Sequence, residues 1–164
     1  MSRADRRYPE RPIVGVGGVI LVDAAARIEG MPEPAPAPFG VVVVQRRFEP
    51  LAGQWSLPGG ALEVGETLAA GVAREVLEET GLVVDVHGVI EVFDRIVLDD
   101  GPGEARRVRH HYVLLDYLCR PIGGRLQAGS DAAAVRVVHP DGLAALRVTP
   151  LVEQVVRRAL EMAR

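Results

Sequence analysis

Glu75, Glu78 and Glu79 are spaced i, i+3 and i+4, so on an α-helix turning about 100° per residue they fall within one arc of roughly 100°. Like charges at that spacing repel one another and slightly destabilise a helix, and a cation between them relieves the repulsion. Oxygen ligands with no neighbouring His or Cys select a hard ion, Mg²⁺ or Mn²⁺. The competing reading is a solvated acidic face, because surface helices commonly carry charge. The flanking residues weigh against it: Leu57, Pro58, Gly59 and Gly60 precede the helical segment, Glu66 opens it, and Arg74 stands directly before Glu75.

Gly60, five residues, Glu66, seven residues, and then Arg74-Glu75-Val76-Leu77-Glu78-Glu79-Thr80-Gly81-Leu82 resemble the Nudix box, GX5EX7REUXEEXGU with U apolar, at every fixed position. The resemblance implies an α/β (α+β) fold in which a mixed β-sheet is sandwiched between helices as α/β/α layers. It implies a metal-dependent pyrophosphohydrolase that cleaves the diphosphate linkage of a nucleoside diphosphate derivative, with Mg²⁺ or Mn²⁺ as cofactor. Glu75 and Glu79 are then the principal metal ligands, Glu78 a further ligand or the base that orients water, and a backbone carbonyl of Gly59 or Gly60 an added ligand. Arg74 joins this catalytic group and pairs with Glu66 to brace the loop against the helix. Relatives often take a further acid from a later loop, which makes Asp131 the candidate base. Ala134 stands where many of them are acidic, and Glu91 and Asp94 are rivals.

The implied substrate is a small-molecule nucleotide, ADP-ribose or a related nucleotide sugar foremost, because Leu57-Pro58-Gly59-Gly60 before the box is similar to that group. The proline that many ADP-ribose-cleaving relatives carry about sixteen residues beyond the box is absent here, where the chain reads Val97-Leu98-Asp99. Two other functions compete. One is a sanitising hydrolase of oxidised or noncanonical nucleoside triphosphates; the other is an inactive domain of the same fold that senses a nucleotide, which has no physical need for so many carboxylates. Arg46 and Arg47 are candidate substrate contacts, since guanidinium groups bind oxyanions in a bidentate way. Trp55 either stacks on a base or anchors its loop in the core. Phe48 leans toward the core, and Cys119 has no local His partner that would make it a nucleophile. His110 and His111 are adjacent in a strand, so their rings face opposite ways and do not bind one metal together.

The elements that must position these groups follow from hydrophobic period and turn residues. Residues 13–22 and 40–47 are apolar and β-branched and read as buried strands. Residues 83–93, 107–118 and 134–138 read as further strands, the first two forming a long antiparallel hairpin. Turn clusters are expected at 99–103 and 121–129. Helical spacing spans 66–80, with Gly81 suited to the left-handed position beyond its end, Ala69, Ala73, Val76 and Leu77 on the face away from the glutamates, and a second helix at 150–163 beginning at Pro150. A short helix is expected at 140–146. Residues 1–12 read as a flexible arm, and the prolines at 32, 34, 36 and 38 make 23–39 a stiff surface loop.

Length and charge agree with that reading. A chain of 164 residues with 19 basic and 22 acidic side chains, net −3 and 48% hydrophobic, suits one packed domain over residues 1–164 and excludes a disordered tail protein. Net negative charge argues against general nucleic-acid binding. All 19 basic side chains are arginine, and neither Lys nor Asn occurs. No apolar run approaches the roughly 18 residues a membrane span requires. A lone Cys119 and the lack of a leader-like segment point to a reducing cytoplasm. The apolar C-terminal helix offers a face for a homodimer.

Overall fold

The structure is a computed structural model, and it describes residues 7–24, 26–31, 36, 38–48, 51–99 and 107–164. Residues 1–6 of the expected 1–12 arm, and residues 25, 32–35 and 37 of the expected 23–39 loop, lie outside these residues. Among them, β1 (Ile13–Asp23), β2 (Phe39–Arg46), β3 (Trp55–Ser56), β4 (Gly59–Ala61), α1 (Leu68–Thr80), β5 (Leu82–Leu98), β6 (Val108–Gly124), β7 (Ala132–Val138) and α2 (Pro150–Met162) follow one another.

β1 organises the sheet. Its first eight residues run parallel to β6, from Ile13 opposite Tyr112 to Ile20 opposite Cys119. Its other edge takes β4 at Gly15 to Gly17 and then β2 at Leu21 to Asp23, both antiparallel. β2 carries β3 on one edge and β7 on the other. A strand with neighbours on both edges and helices on both faces must be apolar throughout, which is why β1 and β2 read as near-continuous Val, Ile and Leu rather than as alternation.

Successive β1 side chains feed two cores. Val19 and Leu21 face α2, packing with Val41, Val43, Trp55, Leu118, Val155, Val156 and Ala159. Ile20 and Val22 face α1, packing with Val42, Val72, Val76, Leu82 and Cys119. The mixed sheet between helical layers is thus the expected architecture. Gly18 lets α1 come close, because a side chain there would lie 3.1 Å from Val76 and 3.4 Å from Val72.

Several boundaries differ from the sequence expectation. α1 begins at Leu68, not at 66: the Thr67 hydroxyl accepts from the Ala70 amide at 3.2 Å and caps the helix, leaving Glu66 outside it. Its buried face is Gly71, Val72, Val76 and Thr80, whereas Leu77 and Ala69, on the apolar arc away from the glutamates, are exposed. The sheet lies one helical step round from the wheel's apolar arc, and the Thr80 hydroxyl is satisfied internally by donating to the Val76 carbonyl at 2.6 Å. Gly81 closes the helix at φ 72°, as expected.

The hairpin strands are longer than expected at 17 residues each. β6 runs through Pro121 to Gly124, residues expected as turn, because β5 offers a partner from Leu82 onward. β7 begins at Ala132 rather than 134, and the short strands β3 and β4 have no period long enough to read. The expected short helix is two 3-10 turns, Pro140–Gly142 and Ala144–Leu146.

Candidate active site

α1 presents the glutamates to the loop between β3 and β4. The Gly59 amide donates to Glu79 Oε2 at 3.0 Å, so the loop and the C-terminal part of the helix share one carboxylate. Most of Glu79 is buried, and burial pushes its carboxyl up to about 7. The Gly59 hydrogen bond and the nearby Arg46 charge oppose that rise, and Glu75 and Asp131 reinforce it. Glu75 packs against the backbone of Gly60, where any side chain would run into its carboxylate.

Arg74 is the organising cation. Its Nε and one terminal nitrogen donate to both Glu66 oxygens at 3.1 and 2.7 Å, a bidentate pairing. The other terminal nitrogen donates to Glu75 Oε1 at 2.7 Å and reaches Glu78 Oε2 at 3.5 Å. Arg74 also donates to the Ala61 carbonyl at 3.2 Å, tying α1 to β4. Glu66 accepts in addition from the Glu63 amide at 2.7 Å, and its carboxyl is held below the usual range, chiefly by Arg74. The brace expected between Arg74 and Glu66 is therefore present, and it extends to Glu75.

The three glutamates share a face but do not close on one point. Glu75 and Glu78 turn toward Arg74, while Glu79 turns toward Gly59. Among the described residues no three His, Cys, Asp or Glu side chains form a ready metal cluster. Glu75 is enclosed and Glu78 open, with side-chain exposures of 14% and 57%.

Asp131 reaches this site through backbone docking. The Arg125, Gln127 and Gly129 amides donate to the carbonyls of Gly81, Thr80 and Glu79 at 3.0 to 3.2 Å, so the segment before β7 covers the end of α1. Asp131 then lies close enough to raise Glu79. Arg47 holds the start of β7, its guanidinium donating twice to the Ala132 carbonyl at 3.2 and 2.8 Å. Trp55 is 8% exposed in the α2-side core with Arg136 over its ring, while Phe48 is exposed. Glu91 pairs with Arg158 of α2, and Cys119 is buried with its thiol pushed up to about 12.

Two polar groups that the sequence reading passed over lie near the loop. Ser56 Oγ is enclosed without a hydrogen-bond partner, and nothing in its neighbours signals this. Asp116 is buried in β6 and pushed up to about 6 by burial; one acid interrupting the apolar run Tyr112-Val113-Leu114-Leu115-Asp116-Tyr117-Leu118-Cys119 was its available signal.

Gly60→Ala tests the close approach of loop and helix. The added methyl meets the far end of the flexible Glu75 side chain, which can swing aside, so folding should survive while the carboxylate is displaced. A fall of about 10- to 100-fold in turnover with little change in Tm is expected, read by kinetics and thermal melting of the same preparation.

A NUDIX domain family model matches residues 34–159. An ADP-ribose pyrophosphatase of Methanocaldococcus jannaschii is 35% identical over 92 residues, 56% of this chain and 50% of that protein. The human 8-oxo-dGDP phosphatase NUDT18 is 34% identical over 94 residues, 57% of this chain and 25% of that protein. The chain thus spans half or less of the length of these curated relatives. A NUDIX hydrolase structure from Nitrosomonas europaea shares the fold at TM-score 0.69 and 20% identity, covering 94% of this chain and 92% of the other.

Proposed function

From the premise that the chain belongs to the NUDIX domain family, we propose that it hydrolyses a phosphoanhydride, cleaving the diphosphate linkage of a nucleoside diphosphate derivative, with ADP-ribose the first substrate to test. Nudix hydrolases generally use divalent metal ions, and the residues present fit such an ion. The donors are all oxygen, Glu79 is a largely buried carboxylate whose pairing is one amide, and Gly60 leaves room for Glu75. Glu75 and Glu79, with Glu78 and the Gly60 carbonyl, would hold it; Mg²⁺ is the expected ion, with Mn²⁺ as substitute. When bound, it supplies positive charge to the diphosphate oxygens and makes water a better nucleophile.

The observation that carries this reading is the junction of loop and helix, where Gly59 grips Glu79 and Gly60 abuts Glu75. The rest of the site serves it. Arg74 fixes the orientation of Glu75 and anchors α1 to β4. Arg46, whose charge already acts on Glu79, would offset the charge of a bound phosphate. Asp131 or Glu78 takes the proton from the attacking water. Water forms a new bond to one phosphorus, the bridging P–O bond breaks, and ADP-ribose yields AMP and ribose 5-phosphate. Arg47 and Trp55, engaged by Ala132 and by the core, support the site rather than touch the substrate.

A second reading, hydrolysis of an oxidised guanine nucleotide, draws on the human relative's name. Incubation with Mg²⁺ and either ADP-ribose or 8-oxo-dGDP separates the two: AMP plus ribose 5-phosphate supports the first, release of phosphate the second. EDTA is expected to reduce turnover to background and added Mg²⁺ or Mn²⁺ to restore it; turnover that survives EDTA would sink the metal assignment. Among the described residues no helix is long and apolar enough to cross a membrane.

A further inference from the structure

Asp116 sits in the middle of β6, directly opposite Gly17 of β1 and Glu91 of β5. It is 9% exposed. The two carboxylates of this cross-strand pair meet different fates. Glu91 receives a cation, Arg158 from α2. Asp116 receives no hydrogen bond or ion pair from the described residues, and burial alone acts on its carboxyl. Enclosing a carboxylate without a partner disfavours folding, so the packing of the sheet gives no reason for an acid at this position.

The surroundings give one. Gly17 has no side chain, and any Cβ there would run into Asp116 Oδ1 and lie 3.5 Å from the Pro58 carbonyl. Gly15, one pleat away, is likewise filled by Leu114. The ends of Asp116 and Leu114 thus lie over the bare backbone of the two glycines, beside the Leu57 to Gly60 loop. Gly17 is itself the register partner of Gly59, whose amide holds Glu79. Two strand spacings, about 10 Å in all, separate Asp116 from Gly59, a span suited to a nucleoside whose phosphate lies at the loop.

We propose that Asp116, laid over Gly17 two strands from the Gly59 loop, binds the nucleoside end of the substrate by accepting hydrogen bonds from it. This rests on the nucleotide-hydrolase reading above. An ionised carboxylate only accepts, so the ligand must offer N–H or O–H donors. A nucleoside offers them on its base, as exocyclic amines and as the ring N–H of guanine and uracil, and on the ribose diol.

Direct binding decides between base and ribose without hydrolysis, a loss confined to GMP and UMP pointing to the ring N–H. AMP, GMP, CMP and UMP, with the 2′-deoxy form of whichever binds best, are titrated by calorimetry into wild type and Asp116→Asn. The wild type is expected to bind at least one ribonucleotide, and the variant to bind it about tenfold more weakly. Selective loss for AMP, GMP or CMP with UMP binding weakly throughout identifies the base amine. A wild-type preference for ribo- over 2′-deoxy nucleotide that disappears in the variant identifies the diol. Asp116→Asn should melt no lower than wild type, because it removes an unpaired buried charge while keeping shape. Equal nucleotide binding by variant and wild type, no binding by wild type at millimolar nucleotide, or a drop in Tm of more than about 5 °C would each overturn the proposal. Failure of the hydrolase reading shows separately, as absent turnover in wild type that binds nucleotide.

Discussion

Replacing Glu79 by Gln is expected to lower kcat by on the order of 10²-fold or more while the protein stays folded. The reason is the division between what holds this side chain and what it does. Its structural partner is the Gly59 amide, which donates to Oε2, and a glutamine carbonyl accepts the same hydrogen bond. What glutamine lacks is the negative charge that the proposed chemistry needs. Because burial already disfavours that charge, pushing the carboxyl up to about 7, its loss should leave Tm unchanged or slightly higher. Steady-state kinetics with saturating Mg²⁺ and a thermal melt check both halves. Unaltered turnover in this variant removes Glu79 from the site, and loss of the folded state shows that the Gly59 contact depends on charge.

Replacing Arg74 by Ala should injure both fold and activity. One guanidinium serves Glu66, Glu75, Glu78 and the Ala61 carbonyl, so its removal leaves the like charges of Glu66, before α1, and of Glu75 and Glu78, in its C-terminal half, without their shared cation and cuts the tie to β4. A fall of about 5–10 °C in Tm and of about 10- to 100-fold in kcat is expected. Lysine should not rescue it, because a single ammonium cannot pair with both Glu66 oxygens and Glu75 at once. The pH dependence has a definite sign. Glu66 is held below the ordinary glutamate value of 4.5, so the folded state binds that proton less readily than the unfolded one. The resulting stability is present above that value and lost as pH falls through the lowered one. Wild type should therefore lose Tm more steeply than Arg74→Ala as pH drops below about 4.5, measured at fixed ionic strength; parallel acid limbs would show that the pairing contributes nothing.

Legibility in the sequence depended on whether a feature is local. The glutamate spacing, the Gly81 stop and the long apolar strands are set by repeats of a few residues, and all were readable. The helix start was misplaced by two residues because Glu66 and Thr67 both suit a helix entrance. The tie was broken by Arg74, eight residues from Glu66, which draws that carboxylate away to the loop. A wheel places Leu77 on the apolar arc opposite the glutamates, whereas the position of β1 and β5 decides which part of that arc is covered and leaves Leu77 exposed.

Asp131 and Trp55 make the same point at longer range. Asp131 reaches Glu79 because the segment at 125–129 satisfies the open carbonyls at the end of α1, a backbone match that leaves no mark on side-chain composition. Trp55 was balanced between base stacking and core, and its partner Arg136 comes from a strand eighty residues away in the chain. Asp116 was visible as an odd acid in an apolar strand, yet its meaning came only when β1 laid Gly17 beside it.

Residue order alone determined the family, the oxygen-rich chemistry of the helix and the layered fold, because those rest on spacing along the backbone, which local geometry preserves. Tertiary structure decided which glutamate is buried, which one Arg74 takes and where an acid lacks a partner. Charge and desolvation act through space, so these properties belong to neighbours that only folding brings together.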